Sequence, residues 1–226
     1  MKTKVLFLLA ALSLSAATFA QGTRMMYVMK NGTATHTIAV SEIDSIVFKT
    51  ADRGVVINGV AWATCNVDAP GTFAAKSSDA GMFYQWNRKV AWPAKGNVTN
   101  WNHDDVMSDG KWAKANDPSP AGWRVPTYAE LQKLLDEEKV TQEVAKENGI
   151  DGKRYTDKAS GRSIFLPVTN CRHHEDGHIE GIDSYGYYWS STPSYSTYVW
   201  RLESGYFSGF DDVDSNFGFC IRPVAE

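Results

Sequence analysis

The stretch CRHHEDGH at residues 171–178 holds the densest group of side chains able to bind a metal ion. Its candidate ligands are His173, His174, Glu175, Asp176 and His178. Imidazole and carboxylate groups are the ligands from which proteins build transition-metal sites. Adjacent side chains of a flexible loop cannot all point at one ion, however. A solvated polar loop is therefore the simpler interpretation, and a metal site is the alternative.

A second polar cluster, FDDVDSNFG at residues 210–218, contains carboxylates of the kind that bind calcium. Its acidic members are Asp211, Asp212 and Asp214. Their spacing departs from the Asp-x-Asp-x-Asp-Gly pattern of a calcium loop, and the glutamate expected at the twelfth position is missing. We therefore expect a turn whose Asp and Asn side chains bond their own backbone, with calcium binding as the alternative.

Tyrosine and tryptophan residues concentrate between positions 185 and 207. If this region forms strands, neighbouring residues alternate between the two faces, and about half of the rings point outward. Exposed Tyr and Trp rings offer rigid, amphipathic contact area that suits sugars and protein partners. A place in the core is the alternative for most of them. The predicted ligand contacts are Tyr185, Tyr187, Trp189, Tyr195 and Trp200.

No arrangement of residues points to an enzyme. Ser190 and Ser191 lack the Gly-x-Ser-x-Gly setting of a nucleophile elbow, and the histidines show no recognisable triad spacing. We therefore predict a non-catalytic protein without catalytic residues or a cofactor.

Residues 1–20 have the pattern of a secretory signal peptide. Lys2 and Lys4 precede an uncharged apolar run at residues 5–14, and the small-residue stretch SAATFA follows. The apolar run is shorter than the roughly 20 residues that span a bilayer. We expect cleavage after Ala20, export to the periplasm, the cell surface or the extracellular space, and no transmembrane segment.

The charge of the mature chain argues against nucleic acid as a partner. Without the two lysines of the signal peptide it carries 21 basic and 26 acidic residues, and the basic ones form no block along the sequence. Proteins that bind nucleic acid cluster Lys and Arg on one face. About 200 residues are enough for one main domain and a small appendage.

Three cysteines, Cys65, Cys171 and Cys220, lie in a chain that we expect to be exported, where disulfides persist. At most one internal bridge can form, and the residues alone leave all three pairings open. A zinc site built on cysteines would need ligands about two to four residues apart, and no two of these cysteines are that close.

The predicted elements fall into two parts. Residues 24–48 contain two strands joined by Asn31-Gly32, a strong hairpin signal, followed by a helical turn and the strand SIVF. We interpret residues 21–53 as a small β-hairpin module with its linker. Residues 54–226 then form the main domain.

The main domain mixes strands and helices. A second hairpin is expected at Asn58-Gly59, a short helix over residues 80–88, and a loop over 87–119 that is pinned by its tryptophans. Thr127 and Glu130 form a capping box at the start of a helix. We expect another helix over 141–147, and strands from residue 163 onward, which gives an α+β domain.

Three segments of the sequence resemble, in their order, the Fibrobacter succinogenes major paralogous domain family of secreted bacterial proteins. They are GWRVPTYAEL, GYYWSST and GFCIRPV. The segments VVINGVAWATCNVDAPGTF and DAGMFYQWNR are similar to the entry of the same domain. The resemblance covers about residues 55–224. It implies a C-type-lectin-like fold, in which a mixed, mostly antiparallel sheet pairs its two end strands and carries two flanking helices and long loops.

The same resemblance implies a disulfide. Cys65 and Cys220 fall on strands that this fold places side by side, so their pairing is favoured, with Cys171–Cys220 as the runner-up. Ser119 and Pro223 stand where family members often carry cysteine. The calcium-dependent sugar site of C-type lectins is not implied, because its Glu-Pro-Asn, Gln-Pro-Asp and Trp-Asn-Asp triplets are missing from the sequence.

Together these features predict a secreted or cell-surface binding module that recognises a glycan or a surface protein through its upper loops and exposed aromatics. The alternative is a structural component of a surface assembly that docks through the small β module. A remote alternative is an enzyme that acts on polysaccharide, or one like the formylglycine-generating enzymes, which share this fold class and use paired cysteines with a metal.

Overall fold

A computed structural model describes residues 23–44, 54–104, 111–180, 185–193, 197–203 and 208–226. The chain divides into two compact units, Met1–Thr50 and Ala51–Glu226. The described residues are mostly β-strand with one short α-helix. The signal peptide predicted at residues 1–20, the strand predicted at 45–48 and Tyr195 all lie outside the described residues.

The elements of the described residues are, in chain order, β1 (Met25–Lys30), β2 (Thr33–Ala39), β3 (Val55–Ile57), β4 (Val60–Trp62), β5 (Trp123–Arg124), α1 (Tyr128–Gln132), β6 (Val140–Glu147), β7 (Ile150–Asp157), β8 (Ser163–Pro167), β9 (Cys171–Arg172), β10 (Ile179–Glu180), β11 (Tyr185–Pro193), β12 (Thr197–Glu203), β13 (Ser208–Val213) and β14 (Val224–Ala225).

The first unit contains the antiparallel hairpin β1–β2. Asn31 and Gly32 form its turn with φ angles of 50° and 78°. Both angles are left-handed, as the two-residue turns that match the twist of a hairpin require. The hairpin predicted from Asn31-Gly32 is therefore confirmed.

The second unit is built around a four-stranded sheet with the order β3-β4-β14-β5. Val224 of β14 pairs with Trp62 on one side and with Arg124 on the other. Trp62 and Val224 are both fully buried. The last strand, β14, therefore lies beside β4 near the start of the domain, and the first strand, β3, lies one place further out.

Residues 215–226, which we call the central segment, hydrogen-bond to the backbone of many other parts of the second unit. Because buried peptide groups need partners, these bonds fix where each neighbouring stretch must lie. The backbone partners along the segment are Trp86, Arg172, Tyr84, Trp189, Val67, Ala63, Trp62, Arg124 and Gly122.

Side chains of the central segment enter two separate clusters of buried residues. Cys220 and Val224 belong to the cluster around Trp62. Phe219 and Ile221 belong to the cluster around Trp86, against which Phe217 also packs. The alternation expected for an extended chain therefore divides the side chains of this segment between two hydrophobic cores.

Arg222 of the central segment is buried and donates to oxygen atoms of another part of the chain. Its Nε donates to Oδ1 of Asn66 at 2.8 Å, and its Nη1 donates to the carbonyl oxygens of Ala63 at 3.2 Å and Thr64 at 2.6 Å. Nη2 donates to the carbonyl of Ser77 at 3.3 Å. The guanidinium thus connects the central segment to the chain that follows β4.

The helix α1 begins at the predicted capping box. The amide of Glu130 donates to Oγ1 of Thr127 at 3.3 Å, and the amide of Thr127 donates to Oε2 of Glu130 at 2.8 Å. Arg124 of β5 donates to both carboxylate oxygens of Glu130. Burial alone would raise the pKa of Glu130, but the hydrogen bonds from Arg124 and Thr127 hold it below its ordinary value. The strand β5 is thereby tied to the start of the helix.

Two predicted helices are wrong. Residues 141–147 belong to strand β6, which pairs with β7 across Asn148 and Gly149. The φ angles of these two residues are 50° and 83°, so the dipeptide makes a hairpin turn rather than a helix end. Within residues 80–88, Phe83 pairs with Trp92 and Tyr84 with Phe219 in isolated bridges, and a turn follows in which Asn87 has a φ of 54°. Backbone pairing thus determines both conformations.

Among the described residues, no helix combines the length and the apolar character needed to cross a membrane.

Replacing Arg222 by methionine should lower the free energy of unfolding by about 3 kcal/mol, because several buried oxygen atoms lose their donor at once. Urea titration followed by circular dichroism measures this change. The matched control is Arg162→Met at an exposed position, where we expect a change below about 0.5 kcal/mol. Equal stability of Arg222→Met and the unmodified protein would contradict a structural role for this guanidinium.

Candidate functional site

Residues 173–178, which we call the histidine loop, connect strands β9 and β10. The two strands are antiparallel, with Arg172 opposite Ile179. Within the loop, the amide of His173 donates to the carbonyl of His178, and the amide of Gly177 donates to the carbonyl of His173, both at 3.0 Å. The loop is therefore closed on itself by backbone hydrogen bonds.

A fully buried arginine, Arg172, lies directly before the loop. Its Nε donates to the carbonyl of Pro93 at 2.9 Å, and its Nη2 donates to the carbonyl of Gly96 at 3.0 Å. Its Nη1 donates to the carbonyl of Gly177 inside the loop. Burial lowers the pKa of this guanidinium. Arg172 thus attaches the histidine loop to the chain at residues 93–96.

Trp101 supports the histidine loop from the side of the core. Its Nε1 donates to the carbonyl of His174 at 3.0 Å, and only 5% of the residue is exposed. A Cβ atom at Gly177 would lie 2.5 Å from the Trp101 ring, and Gly177 has a φ of 70°. Glycine is required here both by its left-handed backbone and by the contact with the ring.

Asn216 of the central segment holds the loop from another direction. Its Nδ2 donates to the carbonyl of His103 at 3.1 Å and to that of His174 at 3.4 Å. The Oδ1 atom of Asn216 is buried and has no partner within the part of the chain that the structure describes. The sequence predicts Asn216 only as a turn residue, and nothing local in FDDVDSNFG indicates a partner 42 residues away.

His173, Asp176 and His178 converge at the surface of the loop. Each offers one ligand atom, and these atoms all lie within 4.8 Å of one another. The rings of His173 and His178 stack with their centroids 4.9 Å apart. Oδ1 of Asp176 lies 2.5 Å from Nδ1 of His178. Hydrogen bonds from the backbone and then the side chain of His178 lower the pKa of Asp176. The closed loop thus gathers side chains that we expected to point apart.

The other predicted metal ligands lie elsewhere. His174 faces Asp214, with its Nδ1 atom 3.5 Å from Oδ2 of that residue, and its ring packs on Phe217. Asp211 and Asp212 lie in β13, opposite Val199 and Tyr198 in backbone pairing, and their side chains are outside the described part. Glu175 is exposed and does not belong to the converging group.

The aromatic residues predicted to contact a ligand lie in different environments. Trp189 is fully buried and its Nε1 donates to the carbonyl of Tyr84 at 2.5 Å, so its ring serves the core and is not available to a surface ligand. Tyr187 is half-buried and stacks on Phe219 with centroids 5.0 Å apart. Only the backbone of Tyr185 and Trp200 is described, in β11 and β12.

A groove of about 540 Å³, which sequence analysis missed, lies beside β5. Its position could not be read from the sequence because its walls come from segments far apart in the chain. The one sequence signal was the expectation of an ordered loop over residues 87–119, in which Trp101 and Trp112 are now buried. The residues that line the groove and carry polar or aromatic groups are Lys89, Trp112, Lys114, Asp117, Ser119, Trp123, Arg124, Ser191 and Glu226.

The polar groups that line the groove differ in the hydrogen bonds and ion pairs that they already form. Asp117 accepts from the amides of Ser119 at 2.8 Å and Val125 at 3.0 Å. Lys114 forms an exposed ion pair with Glu226, Nζ to Oε1, at 2.9 Å. The hydroxyl oxygen of Ser119 is buried without a hydrogen-bond partner in the described ranges. The groove therefore offers charged groups beside tryptophan rings, while the Ser119 hydroxyl lies beneath its surface.

The three cysteines form no disulfide, so the predicted Cys65–Cys220 bridge and the runner-up Cys171–Cys220 are both absent from this structure. The thiol of Cys220 points to Thr169, with Sγ 3.3 Å from Oγ1, and that of Cys171 to the carbonyl of Glu180 at 3.7 Å. Cys65 is half-buried, with Sγ 3.9 Å from the hydroxyl of Thr64. Neighbouring strands thus do not direct these side chains at each other.

Comparisons of the chain with family models, with curated proteins and with solved structures found no match.

In the native protein at about pH 8, iodoacetamide should modify Cys65 and spare Cys171 and Cys220. Burial raises the pKa of each buried thiol to about 12, and Glu180 contributes at Cys171. Only on the order of one such thiol in ten thousand is then the reactive thiolate. Mass spectrometry identifies the labelled peptides. In guanidinium chloride without reductant all three should react, and a single reactive thiol there would demonstrate a disulfide.

Proposed function

We propose that this chain is an exported, non-catalytic binding module that recognises a glycan through the groove beside β5. The observation that carries the proposal is the combination of a half-buried Trp123 with the charged groups of Lys89, Lys114 and Glu226 in one concave surface. Sites for small ligands are concave and combine apolar rings with a few polar groups. The resemblance to the major paralogous domain family and a lectin-like fold belong to this proposal.

The chemistry of the groove suits a sugar. The faces of a pyranose ring are apolar and stack on the flat side of an aromatic ring, while its hydroxyl groups exchange hydrogen bonds with charged side chains. Lys89 is exposed, and both Lys89 and Trp123 line the groove. The exposed side chains of Lys114 and Glu226 also line the groove and can exchange hydrogen bonds with sugar hydroxyls.

The groove is built on fixed elements, which favours binding because little order must be gained. Trp123 lies in β5 and packs edge-on against Phe73 with ring centroids 5.6 Å apart. Arg124 of the same strand is held by Glu130. Preorganised sites lose less conformational entropy when a ligand binds. Tyr185, Tyr187, Tyr195 and Trp200 stay predicted ligand contacts.

Screening the full chain on a glycan array tests the proposal. We expect one glycan class to bind and Lys89→Glu to lower its affinity at least about tenfold, since an interfacial charge pair or hydrogen bond to a charge is worth about 1.5–3 kcal/mol. Trp123→Ala should lower it further, with circular dichroism used to check folding. The matched control, Lys139→Glu, changes an exposed lysine that does not line the groove. Unchanged binding by Lys89→Glu and Trp123→Ala would contradict the groove as the site.

A second candidate function is assembly through the small β module, and exposed apolar side chains favour it. In hairpin β1–β2 the exposed fractions are 57% for Tyr27, 56% for Met29 and 44% for Val28. Exposed apolar patches mark interaction surfaces, and two-stranded hairpins are marginally stable alone. Deleting residues 21–53 separates the two functions. Retained sugar binding supports the groove, and loss of surface assembly alone supports the module.

The enzyme alternatives receive no support from the cysteines. Reactive cysteine nucleophiles have lowered pKa values, whereas burial raises the pKa of Cys171 and Cys220 to about 12.

A further inference from the structure

We propose that the histidine loop binds one divalent ion of the late first-row transition metals, such as Zn²⁺ or Ni²⁺, through His173, Asp176 and His178. This site is separate from the groove beside β5, because none of its residues lines that groove. The proposal therefore does not depend on sugar binding.

The distances are close to what such an ion requires. A tetrahedral ion with bonds of about 2.1 Å holds its ligand atoms about 3.4 Å apart. The three ligand atoms already lie within 4.8 Å of one another. The side chain of His178 is 53% exposed and that of Asp176 is 64% exposed. The proposal requires these two exposed side chains to rotate toward His173.

The backbone that carries the three ligands is held in place before any ion binds. Hydrogen bonds between His173 and His178 and between Gly177 and His173 close the loop. Arg172 and Trp101 attach it to the core through the carbonyls of Gly177 and His174. Because these contacts form on folding, the ion does not have to order the loop, which favours binding.

Asp176 and His178 already place two candidate ligand atoms side by side. Oδ1 of Asp176 lies 2.5 Å from Nδ1 of His178. Metal binding displaces to solvent the proton that these two atoms share, and both atoms can then bind the ion. In this arrangement His178 binds through Nδ1, and Asp176 contributes a ligand oxygen and a negative charge.

The ligand set favours a transition metal over calcium or magnesium. Two imidazoles and one carboxylate suit Zn²⁺, Ni²⁺ and Cu²⁺, whereas Ca²⁺ and Mg²⁺ take oxygen ligands almost entirely. Three protein ligands leave an open coordination position, as in zinc sites that bind a further molecule. His174 faces Asp214 instead, so we assign it no metal bond.

Isothermal titration of the full chain, purified without a histidine tag, with ZnCl₂ and with NiCl₂ tests the proposal. We expect one ion per chain. His178→Ala and Asp176→Asn should each weaken binding at least about tenfold, because each removes one of the three ligands and Asp176→Asn also removes the negative charge. The double variant His173→Ala/His178→Ala should abolish binding. Matched controls are His174→Ala and the exposed His36→Ala, for which we expect changes below about threefold.

We expect all variants to fold as the unmodified chain does, because the replaced side chains lie at the surface. Thermal denaturation in EDTA checks this. Cys65→Ser should leave the affinity unchanged, which excludes a thiol as the source of the signal. No saturable binding below about 100 µM ion would overturn the proposal. Binding that survives in the double variant, or Ca²⁺ competing at millimolar concentration, would overturn it as well.

Discussion

The structure of the second unit depends on the hydrogen bonding of one buried stretch, the central segment at residues 215–226. Its strand β14 lies between β4 and β5, so its backbone has neighbours on both sides. Its side chains alternate between two hydrophobic clusters, and its Arg222 donates to the chain that follows β4. Since buried peptide groups must be paired, displacing this segment would leave donors and acceptors unsatisfied throughout the unit.

Both candidate sites are attached to this segment, at opposite ends of it. Gly218 exchanges two backbone hydrogen bonds with Arg172, Phe217 packs on the ring of His174, and Asn216 donates to the carbonyl of His174. At the other end, Glu226 lines the groove, and its amide donates to the carbonyl of Gly122. The segment that closes the fold therefore also positions the histidine loop and one wall of the groove.

Local signals in the sequence predicted local structure well and distant structure poorly. The hairpins at Asn31-Gly32 and Asn58-Gly59 formed as expected, because the turn chemistry decides them. We interpreted the same signal at Asn148-Gly149 as the end of a helix, because helix-favouring residues precede it. In the structure those residues pair with β7, and the dipeptide forms the hairpin turn. The histidines were found by composition, but their convergence depends on Arg172 and on contacts with distant residues. The burial of Trp189 likewise depends on distant partners such as Tyr84, which the spacing of residues along the sequence does not indicate.

Hydrogen exchange of individual amides, followed by NMR, tests the central role of this segment most directly. The amides of Ala63, Val67, Tyr84 and Trp189 donate to carbonyls of the central segment. We predict that they exchange only through global unfolding, with a free energy equal to that of denaturant unfolding. Exchange of these four amides as fast as that of the exposed residues 95–97 would show that the central segment does not hold the fold together.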